Sequence, residues 1–167
     1  SGLEDRDAFL LKEELFRIEQ YAEMVLTFQR LESISSDMVL EGHDLHALVK
    51  QAVRKYALSF INKSLSLELL SPESGEGAQS QVLTDEKWFV FCLEQLLSNS
   101  LKYTNKGGIS IQAWAEGERV MLSIEDTGIG IRAEDLPRIF ERGFTGYNGR
   151  LDKKSTGIGL YLCRQIF

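Results

Sequence analysis

The sequence predicts an α+β fold, a two-layer α/β sandwich preceded by one long N-terminal helix. Apolar residues in 4–31 recur with helical spacing, and neither glycine nor proline interrupts them. Two alternating runs flank Gly117 within 108–125, which is typical of a β-hairpin. A third segment, 86–104, is strongly apolar and is predicted to be helical. Apolar helices packed on one face of a sheet give two layers around a single core.

Composition narrows the class of protein. The 167 residues carry a net charge of −6, with 43% hydrophobic and 26% charged residues, an ordinary globular mixture. The acidic balance argues against a nucleic-acid partner but not against a nucleotide, which needs only local donors. Cys92 and Cys163 form no local motif, so a reducing compartment is expected. The longest apolar run, 88–93, is too short to span a bilayer.

Three segments are predicted along the chain. Residues 1–33 form a helix whose apolar face is wider than a two-stranded seam, which favours a helical bundle. This helix is either half of a dimerisation hairpin or an arm folded back on its own domain. Residues 34–44 are predicted to be a linker, and residues 45–167 a second domain.

The remaining elements of the second domain follow from caps, alternation and glycine content. In chain order they are a helix at 45–61 capped by Asp44, a strand at 65–69, an exposed loop at 71–80, the helix at 86–104 capped by Thr84 or Asp85, a short helix at 133–140, a polar loop at 141–156 and a last helix from Thr156.

A first polar cluster lies on the helix at 86–104. Helical spacing places Gln95, Asn99 and Lys102 along one face, with Tyr103 beside them. An asparagine oxygen suits a hard cation such as Mg²⁺, and a lysine suits phosphate. The alternative is a solvated helix face.

A second cluster, Asp126-Thr127-Gly128-Ile129-Gly130, directly follows a predicted strand. The carboxylate of Asp126 can accept a hydrogen bond from an exocyclic amine, and the glycines allow a ligand to approach the backbone. Glycines after a strand are also common in an ordinary turn.

A third cluster runs from Ser155 to Leu160 and leads into the last helix. A glycine-rich turn at a helix N-terminus presents backbone N–H groups and a positive dipole end, which suits phosphate. The alternative is a simple glycine cap.

Together these clusters resemble the catalytic ATP-binding domain of bacterial sensor histidine kinases, which has the Bergerat (GHKL) fold. Asn99 with 102–104 is similar to the N box, 126–130 to the G1 box, 139–142 to the F box and 155–160 to the G2 box. The resemblance covers residues 45–167. The N-terminal helix is similar to the second helix of the family's dimerisation and phosphotransfer hairpin.

The resemblance implies roles for the matching residues. Asn99 would ligate Mg²⁺, Asp126 would bond the adenine amino group, and Lys102 would face the phosphates. Catalytic roles would fall on Asn99, Lys102 and Gln95. The residues expected to contact ATP are Asn99, Lys102, Tyr103, Asp126, Gly128, Gly130, Ile131, Arg142, Phe144, Arg150, Thr156, Gly157, Ile158, Gly159 and Leu160.

Gln95 departs from the family pattern. It stands where many members have asparagine and where ATP-hydrolysing relatives have glutamate. Glutamine cannot act as a general base. Glu94 is about 140° round the helix from Asn99 and faces away from the cluster. Phosphoryl transfer to a side chain is therefore favoured over one alternative, a GHKL-type ATPase. Asn99, Asp126 and the glycines, all present, argue against the other alternative, a docking module without nucleotide.

Two further departures concern the G2 and F boxes. Ser155 replaces the first glycine of the G2 pattern, and Gly143 stands where the F box often has an aromatic residue. Phe144 is the candidate to fill that space.

The phosphoacceptor motif of the family is absent. The chain's two histidines, His43 and His46, are predicted to be surface residues. The resemblance implies that the histidine lies on a segment outside this chain, and that the family's domain continues past Phe167 with two more strands. It also implies a response-regulator partner, homodimerisation through the N-terminal helix, and a cytoplasmic domain of a membrane-anchored bacterial protein.

Overall fold

The computed structural model describes residues 2–30, 37–70, 81–151 and 155–167. They belong to two compact units, residues 1–37 and 38–167. The first unit contains helix α1, Gly2–Gln29. Several large apolar side chains along α1 are at least half exposed, among them Leu11, Leu15, Ile18 and Val25. Leu31, at the predicted end of this helix, lies outside the described residues.

A three-stranded sheet forms one layer of the second unit. Its strands are β2 (Ser66–Leu70), β4 (Gly108–Glu116) and β5 (Arg119–Asp126), in the order β2-β4-β5. β2 runs parallel to β4, and β5 is antiparallel to it. Ile109 and Ile111 of β4 are only 2% and 3% exposed, so one face of the sheet is the core face. The predicted hairpin is confirmed.

A second, two-stranded sheet pairs β1 (Glu41–Asp44) with β3 (Gln81–Thr84) in antiparallel register. The prediction of a linker was wrong for residues 41–44. This strand is polar and short, and its partner lies far along the chain, so no local pattern reveals it. The predicted loop at 71–80 lies outside the described residues.

The predicted helix at 45–61 is divided in two. Helix α2 spans Leu45–Lys55 and helix α3 spans Ala57–Lys63, with the break at Tyr56. Tyr56 is buried, and its hydroxyl donates to the backbone carbonyl of Glu94 at 3.0 Å. The Asp44 cap is confirmed, since its carboxylate accepts from the His46 N–H at 2.9 Å.

Helix α4, Glu86–Tyr103, is the central helix of the second unit and packs against α2. Its N-terminus is capped by Asp85, whose carboxylate accepts from the backbone N–H groups of Trp88 and Val39 at 3.0 and 2.8 Å. At its C-terminus, the Lys63 ammonium donates to the carbonyls of Leu101 and Thr104. Both ends of α4 are therefore fixed, which also fixes its polar face.

The C-terminal third differs from prediction in three places. Residues 133–140 contain only a 3₁₀ turn, Leu136–Arg138, because Pro137 removes a helical donor. The predicted loop at 141–156 contains a short helix, α5, Gly146–Leu151. The last helix, α6, is Gly159–Ile166 and packs on α4; it starts later than predicted because Gly157 has a φ of +67°. In the described ranges, no helix is long and apolar enough to cross a membrane.

Candidate functional site

The polar face of α4 forms one wall of the site. Gln95, Asn99, Lys102 and Tyr103 are all half-buried there. Glu94 points elsewhere, because its Oε2 lies 2.7 Å from the Lys55 ammonium and its side chain is 11% exposed. This confirms the prediction that Glu94 faces away from the cluster.

The C-terminal end of this face meets the residue that precedes the G2 glycines. Lys102 Nζ donates to Ser155 Oγ at 2.6 Å, and the Tyr103 hydroxyl lies 3.3 Å from the same oxygen. The Lys102 ammonium also lies 5.3 Å from the centroid of the Tyr103 ring, within cation–π range. Two motifs that are far apart in sequence are thus joined by side-chain contacts.

The glycine turn at 157–159 is packed on both sides. A β-carbon at Gly159 would stand 2.7 Å from Gln95 Oε1, so this residue lies directly on α4. A β-carbon at Gly157 would stand 2.5 Å from the carbonyl carbon of Gly143 and 2.6 Å from the carbonyl oxygen of Phe144. Only glycine fits at 157, where a positive φ and close backbone contact coincide.

The G1 loop is fastened to the end of α4. Asp126, exposed at the end of β5, accepts the Gly128 N–H through Oδ1 at 2.9 Å. The Ile129 N–H donates to the Tyr103 carbonyl at 3.2 Å. A β-carbon at Gly128 would lie 2.6 Å from that carbonyl oxygen, so Gly128 serves packing. Gly130, with φ +67°, has open space at its β-position among the described residues.

Thr104 belongs to the predicted N box but was not among the residues expected to contact ATP. It is fully buried, and its Oγ1 is the one buried side-chain polar atom without a hydrogen-bond partner among the described residues. A β-carbon at Gly128 would lie 3.0 Å from this oxygen and 2.7 Å from Asp126 Oδ1. The signal in the sequence was a hydroxyl residue directly after Tyr103, at the end of the polar helix face.

Arg132 and Asp135 were also not selected. The Arg132 guanidinium stacks 3.5 Å from the Tyr147 ring centroid, and Asp135 Oδ2 accepts the Tyr147 N–H at 3.0 Å. These contacts attach α5 to the segment after β5. No short motif marks them, because their partner Tyr147 lies in the polar loop predicted at 141–156.

The ring of Phe144 is half-buried and is covered by Arg138, whose guanidinium carbon lies 4.4 Å from the ring centroid. Arg138 also pairs with Glu141 at 2.9 Å, and this hydrogen bond raises the pKa of Arg138. Phe144 therefore has an ordered position beside Gly143.

The structure brings together only part of the predicted site. Hydrogen bonds and close contacts join the α4 face to the G1 loop and to the G2 turn. Asn99 lies on α4 between Gln95 and Tyr103, and Ile158 and Leu160 are half-buried at the start of α6. Ile131, Arg142 and Thr156 are exposed. The side chain of Arg150 lies outside the described residues.

Residues 84–167, half of the chain, match the family described as histidine kinase-, DNA gyrase B-, and HSP90-like ATPase. The chain belongs to this family. Within it, the chain contains the catalytic ATP-binding domain of a bacterial histidine kinase.

One similar relative is the sensor protein BceS of Bacillus subtilis (strain 168), 34% identical over 165 residues, covering 85% of this chain and 49% of the relative. The chain thus spans about half the length of the curated relatives it matches. Two solved structures share the fold. Full-length ShkA with AMPPNP has a TM-score of 0.70 and 23% identity, covering 99% of this chain and 34% of ShkA. ThkA with the response regulator TrrA has a TM-score of 0.66 and 19% identity, covering 95% of this chain and 42% of the matched chain.

The residues present fit ATP, the ligand of this family. The β-position of Gly130 is open among the described residues, the buried Thr104 hydroxyl has unused hydrogen-bonding capacity, and Lys102 supplies a cation at the G2 end. An adenine needs polar partners and phosphates need donors, and the residue types at these positions are of both kinds.

Proposed function

We propose that this chain binds Mg·ATP and presents its γ-phosphoryl group to a histidine on a segment outside the chain, for relay to an aspartate of a response regulator. The observation that carries the proposal is the 2.6 Å contact between Lys102 and Ser155. It brings the N-box lysine to the G2 turn, while the G1 loop is bound to the neighbouring Tyr103 carbonyl.

Asp126 is proposed to hold the adenine amino group. One carboxylate oxygen accepts the Gly128 N–H, which orients the group, and a carboxylate has further lone pairs for a ligand donor. Gly130 leaves space at its α-carbon, and the exposed Ile131 would supply apolar contact. Tyr103 would border the ribose side.

Lys102 and the turn at 157–159 are proposed to hold the phosphates. The turn leads into the positive end of α6, and Lys102 adds a point charge. Asn99 would contribute an amide oxygen to Mg²⁺, which usually keeps waters and phosphate oxygens as its other ligands. The described residues contain no cluster of three acidic, histidine or cysteine ligands, so the metal would depend on the phosphates. When bound, Mg·ATP supplies the transferable phosphoryl group and the neutralising charge.

Transfer is favoured over hydrolysis because the face of α4 that meets the G2 turn carries no carboxylate to act as a base. Gln95 is an amide and cannot take a proton from water. Glu94 is held by the Lys55 ammonium on the other side of the helix. This chain would therefore position the phosphoryl group and neutralise its charge, and it would not activate a water molecule.

The wider organisation is proposed from the relatives. BceS is named a sensor protein, and the ThkA structure contains a response regulator. Residues 1–33 would form one helix of a dimeric bundle, residues 34–44 would connect it, and residues 45–167 would be the catalytic domain. The parent protein would be anchored in the bacterial membrane with this part in the cytoplasm.

Calorimetric titration with ADP and ATP, with Mg²⁺ or chelator, tests the proposal. Asp126→Asn should weaken binding of both nucleotides, and Asn99→Ala should remove mainly the Mg²⁺-dependent part. Glu125→Gln and Asn105→Ala are matched controls, because both residues are exposed neighbours. Equal binding by Asp126→Asn, or none by the folded wild type, would contradict the proposal.

Two further readouts separate the alternatives. Steady phosphate release in proportion to the chain's concentration would indicate an ATPase. Incubation with labelled ATP should give no acid-labile phosphohistidine on this chain, because His43 and His46 lie at β1 and α2 rather than on the bundle helix.

A further inference from the structure

We propose that Ser155 is a phosphate-positioning residue that acts through Lys102, an inference that rests on the proposed nucleotide site. Ser155 stands where the family pattern has glycine, so its hydroxyl is a group that the family pattern does not provide.

Ser155 holds the Lys102 ammonium in a defined place. Its Oγ accepts from Nζ at 2.6 Å, a short charge-assisted hydrogen bond, in a part-buried position. A lysine side chain is flexible, and ordering it on binding opposes affinity. A lysine that is already held before the nucleotide arrives avoids part of that cost.

The Tyr103 hydroxyl also contacts this serine. Ser155 Oγ and the Tyr103 hydroxyl lie 3.3 Å apart and share one hydrogen bond, in which either oxygen donates. Ser155 Oγ is thus held by two neighbours on α4, the Lys102 ammonium and the Tyr103 hydroxyl. Its effect on the phosphate passes through the ammonium, which carries the charge.

Ser155 is supported from the other side as well. Gly149 of α5 is buried, and a β-carbon there would lie 3.4 Å from Ser155 Oγ. The hydroxyl is therefore confined between α5 and the end of α4. The ligand that this arrangement would recognise is a nucleoside di- or triphosphate, since adenosine offers no anionic oxygen to the Lys102 ammonium.

The test compares adenosine, ADP and ATP in calorimetric titrations of wild type, Ser155→Ala, Lys102→Met and the double variant. Ser155→Ala should weaken ADP and ATP binding about tenfold, the effect of losing a hydrogen bond to a charged group, and leave adenosine binding unchanged. In the Lys102→Met background the same change should cost less than about twofold, because the residue acts through the lysine. Ser155→Thr, which keeps the hydroxyl, should restore most of the affinity. Ser110→Ala is a control on the outer face of β4.

The outcomes separate the two proposals. A folded wild type that binds no nucleotide overturns both the proposed function and this inference. Wild-type binding with equal or tighter ADP binding by Ser155→Ala overturns the inference alone. An equal loss for adenosine, or full additivity with Lys102→Met, would show a merely structural role and also overturn it.

Discussion

The side-chain oxygen of Gln95 lies against Gly159, at 2.7 Å from the place where a β-carbon would stand. The contact joins the polar face of α4 to the first residue of α6. It assigns a packing role to Gln95, the residue at the position where ATP-hydrolysing relatives of this fold have glutamate. This oxygen is at the end of a flexible side chain, so it can move when a larger residue replaces Gly159.

Replacement of Gly159 by alanine should therefore depend on residue 95. In the wild type, alanine's helix propensity, worth up to about 1 kcal/mol, is offset by displacement of the Gln95 amide. In a Gln95→Ala background the same replacement should stabilise by roughly 0.5–1 kcal/mol. Urea unfolding of the four proteins measures the coupling. An identical effect in both backgrounds would refute the contact.

The two glycines of the G1 loop should respond differently to alanine. Gly128→Ala should destabilise by about 2 kcal/mol or more, because the β-carbon would meet the Tyr103 carbonyl oxygen at 2.6 Å. Gly130→Ala has room and should lose only about 1–2 kcal/mol, from its positive φ. Thermal melting and ADP titration together distinguish a folding defect from a binding defect. A larger loss of stability for Gly130→Ala than for Gly128→Ala would contradict this assignment of the packed residue.

The Lys55–Glu94 pair should be costly to break. Its atoms lie 2.7 Å apart, and its side chains are 23% and 11% exposed. Lys55→Met should lower the free energy of unfolding by about 3 kcal/mol, because the buried carboxylate loses its ammonium partner. Lys55→Met with Glu94→Leu should recover much of that loss. Arg138→Met, which breaks an exposed pair, is the control and should have a much smaller effect because solvent screens the pair. A loss of that small size for Lys55→Met would contradict the assignment.

The buried thiol of Cys92 should make stability fall at alkaline pH. A hydrogen bond with the Cys163 side chain, followed by burial, raises the pKa of Cys92. At neutral pH, below the ordinary thiol pKa, the protonated thiol makes its full contribution to the stability of the folded state. That contribution is lost as pH rises above the ordinary thiol pKa of about 8.5, because the unfolded chain then releases the proton and the folded chain keeps it.

The slope should reach about 1.4 kcal/mol per pH unit for this thiol. Urea midpoints between about pH 8 and 10 measure it, with Cys92→Ala as the comparison. The variant should be less stable at neutral pH, since it loses packing, yet show a shallower alkaline decline. Parallel declines in the two proteins would show that other groups are responsible.

Local patterns predicted much of this structure. The cap at Asp44, the hairpin around Gly117 and the helix ending at Tyr103 depend on neighbouring residues, and each was confirmed. The order of the four motifs also identified the family. These features need only nearest-neighbour chemistry or a fixed sequence spacing, which a single sequence contains.

Other features depend on partners far along the chain. Strand β1 exists because residues 81–84 pair with it, and the helix break at Tyr56 coincides with a bond to the Glu94 carbonyl. The start of α6 was predicted three residues early, since the local pattern does not reveal the backbone contact that requires glycine at 157.

Sequence patterns alone predicted the layers, the caps and the residue types that could bind a nucleotide, because periodicity and spacing are local properties. The role of each of those residues depends on its contacts in the folded chain. Gly128 and Gly130 look equivalent in sequence, yet one is packed and the other open. Ser155 looks like a missing glycine, yet it meets Lys102. Such roles depend on which atoms are adjacent in space, and folding alone sets that.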